Sequence, residues 1–280
     1  VKMRETMVHR GHDSAGVTVA GESLKSDLLI RIWADESVPA EATISQAKET
    51  VMRAGGAIVS AETQDSYLRL AVNYEGDVPR LAEALLQTPG VVLHSIGETS
   101  EVIKDVGTPV VMDARHGISK ISGTHGVGHV RMATESKIDI SHAHPFWAYP
   151  FTDVTVVHNG QLTNYHGMKR EYESQGHHFQ TENDSELIAV YLADKLALGV
   201  DLNTALEASL DDLDGTFTYL VSTRDGMGYA KDRWSAKPLV LMETDSVVAL
   251  ASEEVALRSV FTDELDRTEP QEHEVMTWSA

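Results

Sequence analysis

Apolar positions along this chain recur with a period of 3.6 in some stretches and of two in others, and the changeovers mark its elements. Met3, Met7 and Val8 share one side of a predicted helix. It ends in Arg10-Gly11-His12-Asp13-Ser14-Ala15-Gly16, a loop leading to a strand over residues 17–20. Residues 28–33 alternate as a strand. Pro39 opens a helical stretch through Arg53, with Ile44, Ala47, Val51 and Met52 on its apolar side, and Gly55-Gly56 stops it. Residues 57–60 and 67–73 read as two strands about a polar turn, 78–86 as a second amphipathic helix, and 91–96 as a further strand. The order β-α-β-β-α-β is the split βαβ pattern, so residues 25–98 are predicted to form a small inserted ferredoxin-like domain. Such a unit serves as a structural or subunit-contact module or as a regulatory ligand site, and its fold does not choose between them. Residues 99–116 are expected as a connector of short helices and turns.

In the second half, residues 127–132 read as a strand carrying Arg131 near its end. Val154, Thr155, Val156 and Val157 are nearly all β-branched and read as a buried strand that stops at His158-Asn159-Gly160. Asn and Gly both tolerate positive φ, so this dipeptide alone predicts a hairpin turn. At a sheet edge it would also set a side-chain amide beside a free backbone N–H, a pair suited to a developing oxyanion. Thr163 or Asn164 is expected to cap a helix running to Gly176, and Thr181, Asn183 or Asp184 to cap the next one, with Glu186 in its first turn. A helix over 202–213 follows. From Thr216 onward, tight turns separate strands at 216–222, 227–231, 238–242 and 246–251. A short helix at 253–260 and a strand at 274–278 complete a pattern typical of an antiparallel sheet.

Composition narrows the function classes. The 42% of hydrophobic residues can bury the core of one large domain or two modest ones. Lys and Arg number 23 against 43 Asp and Glu, a net charge of -20 that repels phosphate backbones and anionic lipid, so neither nucleic acid nor a membrane is an expected partner. No apolar run approaches the roughly 20 residues of a bilayer span, and no signal-peptide pattern is present, so a cytoplasmic protein is expected. There is no cysteine, which removes disulfides, thiolate metal sites and thiol nucleophiles from these 280 residues. Gly123, Gly126 and Gly128 lack dinucleotide-loop spacing. His142 and His144 are expected on one strand face, and His158, His177 and His178 add to the count. Neither an HExxH-type helix nor a carboxylate-bracketed set accompanies them, so no metal is expected.

Six stretches in this order, RGHDSAG, GHVRMATES, HAHPF, VVHNGQLTNY, TENDSELIA and GTFTYLVSTRDG, resemble the class II glutamine amidotransferases, which are N-terminal-nucleophile (Ntn) hydrolases. The resemblance covers residues 1–24 and 117–280. It implies an α+β fold, a four-layer αββα sandwich carrying the βαββαβ segment as an insertion. That insertion, together with TENDSE and DLDGTFTYLVSTRDG, is most similar to the amidotransferase subunit of N-methylglutamate synthase and its glutamate-synthase-like relatives.

The resemblance implies a role for each of several residues. A free amino acid needs one fixed cation and one fixed anion. Arg131 matches the clamp on its carboxylate, where a guanidinium fork fits well, and Thr134 an additional contact on that side. Asp184 matches the residue that holds the α-ammonium. The Asn159 amide and the Gly160 N–H match the oxyanion hole, and Arg10 the residue that orders the loop beside the nucleophile. That nucleophile is a cysteine at the first residue, with its own α-amine as base. Val1 has no nucleophilic atom, so a strand bearing the cysteine is expected upstream of it, the alternative being a nucleophile-free binding and assembly subunit. Met132 and Glu135 also depart from the family, which often has an aromatic residue and a His there. The implied activity is release of ammonia from glutamine, with glutamate as product. The implied partner is a flavin-containing, glutamate-synthase-like subunit in a hetero-oligomer. FMN and iron–sulfur centres are expected there, and no cofactor in this chain, which shows no motif for one.

Overall fold

The computed structural model describes residues 1–21, 26–132, 139–261 and 266–280. A single turn, α1 (Lys2–Glu5), and a 3-10 turn at Val8–Arg10 deliver the chain to β1 (Ser14–Ala20). Then come β2 (Leu28–Ala34), α2 (Ala40–Arg53), β3 (Ala57–Gln64), β4 (Tyr67–Asn73), α3 (Val78–Leu86) and β5 (Val91–Gly97). These strands form one antiparallel sheet in the order β3-β4-β2-β5, so each helix crosses one intervening strand, as a split βαβ unit requires. Ile30, Ile32 and Leu70 of the sheet bury against Val51 of α2 and Leu81 and Leu85 of α3.

The expected connector contains a strand, β6 (Ser100–Val106), ahead of α4 (Pro109–His116). Three charged residues hide its strand character in the sequence, and each of them finds a polar partner in the fold. Glu101 accepts from Arg31 at 2.6 Å and Arg69 at 2.9 Å, Asp105 from Tyr67 and Arg115 at 2.6 Å, and Lys104 donates to the Ala143 carbonyl at 3.2 Å.

The rest of the chain is β7 (His125–Arg131), β8 (Phe146–Trp147), β9 (Thr155–Leu162), α5 (Tyr165–Ser174), α6 (Asp184–Ala197), α7 (Leu202–Asp212), β10 (Gly215–Ser222), β11 (Gly226–Lys231), β12 (Val240–Glu243), β13 (Val248–Ala251), α8 (Glu254–Arg258), β14 (Arg267–Thr268) and β15 (Glu274–Ser279). A five-stranded sheet runs β15-β11-β10-β9-β8, and two three-stranded sheets run β6-β1-β7 and β13-β12-β14. The strands after Thr216 therefore divide between two sheets. Leu239, Leu241 and Leu250 pack on Tyr229 of β11, which stacks β12 and β13 onto the larger sheet face to face. Helix α6, with Leu187, Ile188 and Tyr191, covers the outer face of the five-stranded sheet. Met112 of α4 and Leu257 of α8 cover the outer faces of the smaller sheets. Helix, sheet, sheet, helix: the layers are those of an αββα sandwich. β7 and β13 are edge strands, and residues of both line a groove of about 900 Å³ floored by Leu220, Met227 and Trp278.

Three local expectations need correction. β9 does not turn at Asn159-Gly160 but continues to Leu162, paired with β10 throughout. Gly160 has φ +140°, and a Cβ there would lie 2.0 Å from the Thr216 carbonyl oxygen, so close approach of β10 demands the glycine. The chain turns only at Thr163-Asn164, whose side chains bond Asp214 and the Asp212 carbonyl instead of capping α5. His142 and His144 are not in a strand. His142 bonds Asp139 at 2.7 Å, and His144 turns inward.

Candidate functional site

The strand period of two puts His129 and Arg131 of β7 on one face, and the sandwich points His129 at β9. Its Nε2 lies 3.2 Å from the Asn159 Oδ1. With the amide oriented this way the imidazole donates, the Asn159 carbonyl is taken, and Nδ2 remains to donate elsewhere. Burial, the largest influence, holds His129 down at about 4, so the ring is neutral at ordinary pH. The His144 ring packs on His129 with centroids 4.4 Å apart, and its Nε2 meets the Ser185 hydroxyl at 2.9 Å. The same hydroxyl lies 3.0 Å from the His158 Nδ1. Ser185 thus joins two buried imidazoles that enter from different loops and strands.

Asp184 opens α6, and Asn183 before it is the cap, its Oδ1 accepting the Ser185 N–H at 2.9 Å. The Asp184 carboxylate accepts the Leu162 N–H at 3.0 Å and lies 3.5 Å from His158 Nδ1. Burial pushes its pKa up, but His158 and the Leu162 N–H outweigh this and hold it below the ordinary carboxylate value. The Leu162 bond also fixes the geometry of β9. Both the N–H and C=O of Phe217, opposite Gly160, engage Asp232 on the other side of β10. Gly160 therefore sits at a position whose N–H points away from β10, in the direction of the Leu162 N–H, and β8 pairs only with Thr155 and Val156. The Gly160 N–H and the Asp184 carboxylate accordingly share one edge of β9, two residues or about 6.6 Å apart along the strand.

Arg10 and Asn159 line one cavity of about 110 Å³, together with His129, His158, Arg4 and the Ala251-Ser252 corner. Its lining among the described residues includes two cationic side chains, Arg4 and Arg10, and no carboxylate. Arg10 reaches Glu253 at 2.9 Å, and His9 reaches the same carboxylate at 3.0 Å, which ties the 3-10 turn to the start of α8. Gly160 adjoins the cavity on β9, Asp184 reaches it through His158, and Arg131 stands on the His129 face of β7; none of these three lines it directly. Thr134 and Glu135 lie outside the described residues. Sequence reasoning missed Arg4, His129 and Ser185. Period-two counting back from Arg131 points to His129. Arg4 carries no such signal: it is buried because its Nη1 donates to the Gly16 carbonyl at 3.0 Å, a tertiary contact.

A family model described as a glutamine amidotransferase domain matches residues 129–259, a stretch that holds His129, Asn159, Asp184 and Glu253. A glutamine amidotransferase homologue of Methanothermobacter thermautotrophicus is 39% identical over 277 residues, covering 97% of this chain and 91% of that protein. The glutamine amidotransferase-like protein GlxB of Rhizobium meliloti is 36% identical, over 98% of this chain and 89% of its own. Among solved structures, glutamine phosphoribosylpyrophosphate amidotransferase from B. subtilis complexed with ADP and GMP shares the fold with a TM-score of 0.54 at 21% identity. The match covers 89% of this chain and 46% of that one.

Proposed function

Since this chain belongs to the class II glutamine amidotransferase family, we propose that it is the ammonia-releasing subunit of N-methylglutamate synthase or a related glutamate-synthase-like complex. The observation that supports this best is the edge of β9. A glutamine laid along it places its side-chain amide by Asn159 and Gly160 and its α-ammonium by Asp184, a separation close to the length of its side chain. Arg131, and Thr134 with it, take the α-carboxylate. Attack on the amide carbon puts negative charge on the carbonyl oxygen, and the Asn159 Nδ2 and Gly160 N–H are the donors for it, each worth about 3–4 kcal/mol in the transition state. Ammonia leaves, and water releases glutamate from the acyl intermediate. The attacking thiol has to come from outside these 280 residues, which contain no cysteine. A strand in the groove between β7 and β13 would bring one to the cavity. The ammonia is consumed by a flavin-containing partner subunit carrying FMN and iron–sulfur centres, in a cytoplasmic hetero-oligomer.

The absent cysteine also favours a second reading, a nucleophile-free subunit that holds glutamine or glutamate and assembles the complex. Both readings require amino-acid binding. Calorimetry with glutamine is expected to give saturable binding that Asp184→Ala weakens at least tenfold; unchanged affinity in that variant defeats both. Intact mass and alkylation of the natural protein by a diazo-ketone glutamine analogue separate them. A covalent adduct establishes the thiol enzyme, and a natural chain with no cysteine and no adduct establishes the binding subunit.

A further inference from the structure

A second cavity, of about 290 Å³, lies between β5 of the inserted unit, β6, and the segment around β8. It reaches the first turn of α6 at Glu186, about 200° around the helix from Asp184 and therefore on the side away from the candidate site. The buried side chains of Lys104, His94 and Glu186 line it. Phe146, Trp147 and Tyr149 supply an aromatic wall.

The polar groups are incompletely matched. The Lys104 ammonium donates to the carbonyls of Ala143 at 3.2 Å and Ser141 at 3.5 Å and lies 5.2 Å from the centre of the Phe146 ring. Among the described residues no carboxylate comes within ion-pair distance of it. The Glu186 carboxylate is turned instead to the N–H groups of Gln180 at 2.7 Å and Thr181 at 2.8 Å. The His94 Nε2 is buried with no hydrogen-bond partner among the described residues. Glu186 and Asp139 act on this ammonium only from beyond ion-pair distance, so the cost of its burial is incompletely offset, and leaving an imidazole nitrogen unpaired is unfavourable too. Both defects at one aromatic-walled cavity are the converse of an anionic ligand with an apolar body.

We propose that this cavity binds a small organic carboxylate with an aromatic body, its carboxylate set between the Lys104 ammonium and the His94 Nε2–H and its body against Phe146 and Trp147. Burial lowers Lys104 to about 8, so the amine still meets the ligand protonated at neutral pH. Burial first, and then the Lys104 charge, keep His94 neutral, which leaves one ring N–H to donate. Two short paths lead from here to the candidate site. Lys104 holds the carbonyl of Ala143, the neighbour of His144; Glu186 adjoins Ser185, which bonds both His144 and His158. A carboxylate that draws Lys104 off those carbonyls shifts the histidine cluster, and the ligand acts as an effector. That consequence rests on the amidotransferase reading; the binding itself does not.

Fluorine NMR of the full 280-residue chain with 4-fluorophenylacetate and with its uncharged amide tests the site. The acid is expected to bind at least tenfold more tightly than the amide. Lys104→Met, which replaces the ammonium by an apolar chain of similar length, is expected to lose acid binding at least tenfold, and His94→Leu to weaken it clearly. Equal affinity for acid and amide, no acid binding at millimolar concentration, or acid binding unchanged in both variants overturns the proposal. Should Lys104→Met fail to fold by circular dichroism, the acid-to-amide ratio and His94→Leu decide. Calorimetry with glutamine in the presence of saturating acid reads the coupling: an affinity shift of threefold or more supports it, and no shift removes it while leaving the site. Failure of glutamine to bind at all strikes the amidotransferase reading and not this one.

Discussion

At the residue scale, Gly160 is tightly constrained by the strand beside it. A Cβ there meets the Thr216 carbonyl oxygen at 2.0 Å and the Phe217 Cα at 2.7 Å, both backbone atoms of a paired strand that cannot step aside. Gly160→Ala is therefore expected to lower stability by about 2–4 kcal/mol, read as the shift of the denaturant midpoint at constant slope. An unchanged midpoint would mean that β10 does not pack against β9 as described. His129 is a positioning residue, acting on chemistry only through the Asn159 amide that it holds at 3.2 Å. In active natural protein, His129→Phe is expected to cut kcat roughly ten- to hundredfold, less than loss of the oxyanion donor itself, with little change in KM for glutamine. A rise in KM at constant kcat would place His129 in substrate binding instead.

At the element scale, the hairpin between β5 and β6 couples the inserted unit to the sandwich, and one buried carboxylate shapes it. Asp153 accepts from the N–H groups of Glu98 at 3.1 Å, Thr99 at 3.1 Å and Ser100 at 2.9 Å, and from the Ser100 hydroxyl at 2.8 Å. Gly97 beside it has no room for a side chain, since a Cβ would lie 2.1 Å from the Ser100 carbonyl oxygen. Asp153→Ala strands several buried donors and is expected to cost about 3 kcal/mol or more. Hydrogen exchange should quicken at residues 97–101 before it does in α6, and uniform exchange across the chain would refute a local role for Asp153. Sequence pattern reached the six elements of the inserted unit but not β6, because Glu101, Lys104 and Asp105 interrupt its apolar alternation. Their partners come from elements as distant as β2 and α4.

At the scale of the whole molecule, the sandwich buries imidazoles that an unfolded chain would expose. His94, His129 and His144 are all depressed by burial first, His129 to about 4. As pH falls below the ordinary histidine value of about 6.5, the unfolded chain takes up protons that the folded one refuses. Stability is therefore lost from about pH 6.5 downward, by up to roughly 1.4 kcal/mol per pH unit for each such group, and for His129 the loss levels off near its folded value. Asp184, Glu101 and Asp105 are held below the usual carboxylate range, so their contribution is present throughout this window and is lost only at lower pH. Denaturant midpoints at pH 7.5 and pH 5 should differ markedly; a flat profile would show that these rings protonate in place.

The sequence by itself determined the local matters: for most stretches whether they are strand or helix, the βαββαβ order of the insert, and the six motifs that mark the family. These follow from side-chain period and backbone preference, which act within a few residues of each other. Only the tertiary structure decided that Asn159-Gly160 is strand and not turn, since that depends on β10, brought in from more than fifty residues away. The tertiary structure alone likewise joined His129 to Asn159 across two sheets, gathered His144 and His158 on Ser185, and enclosed Lys104 and His94 in a second cavity. Contacts between residues far apart in the chain leave no periodic trace in the sequence, because the packing of whole layers selects them.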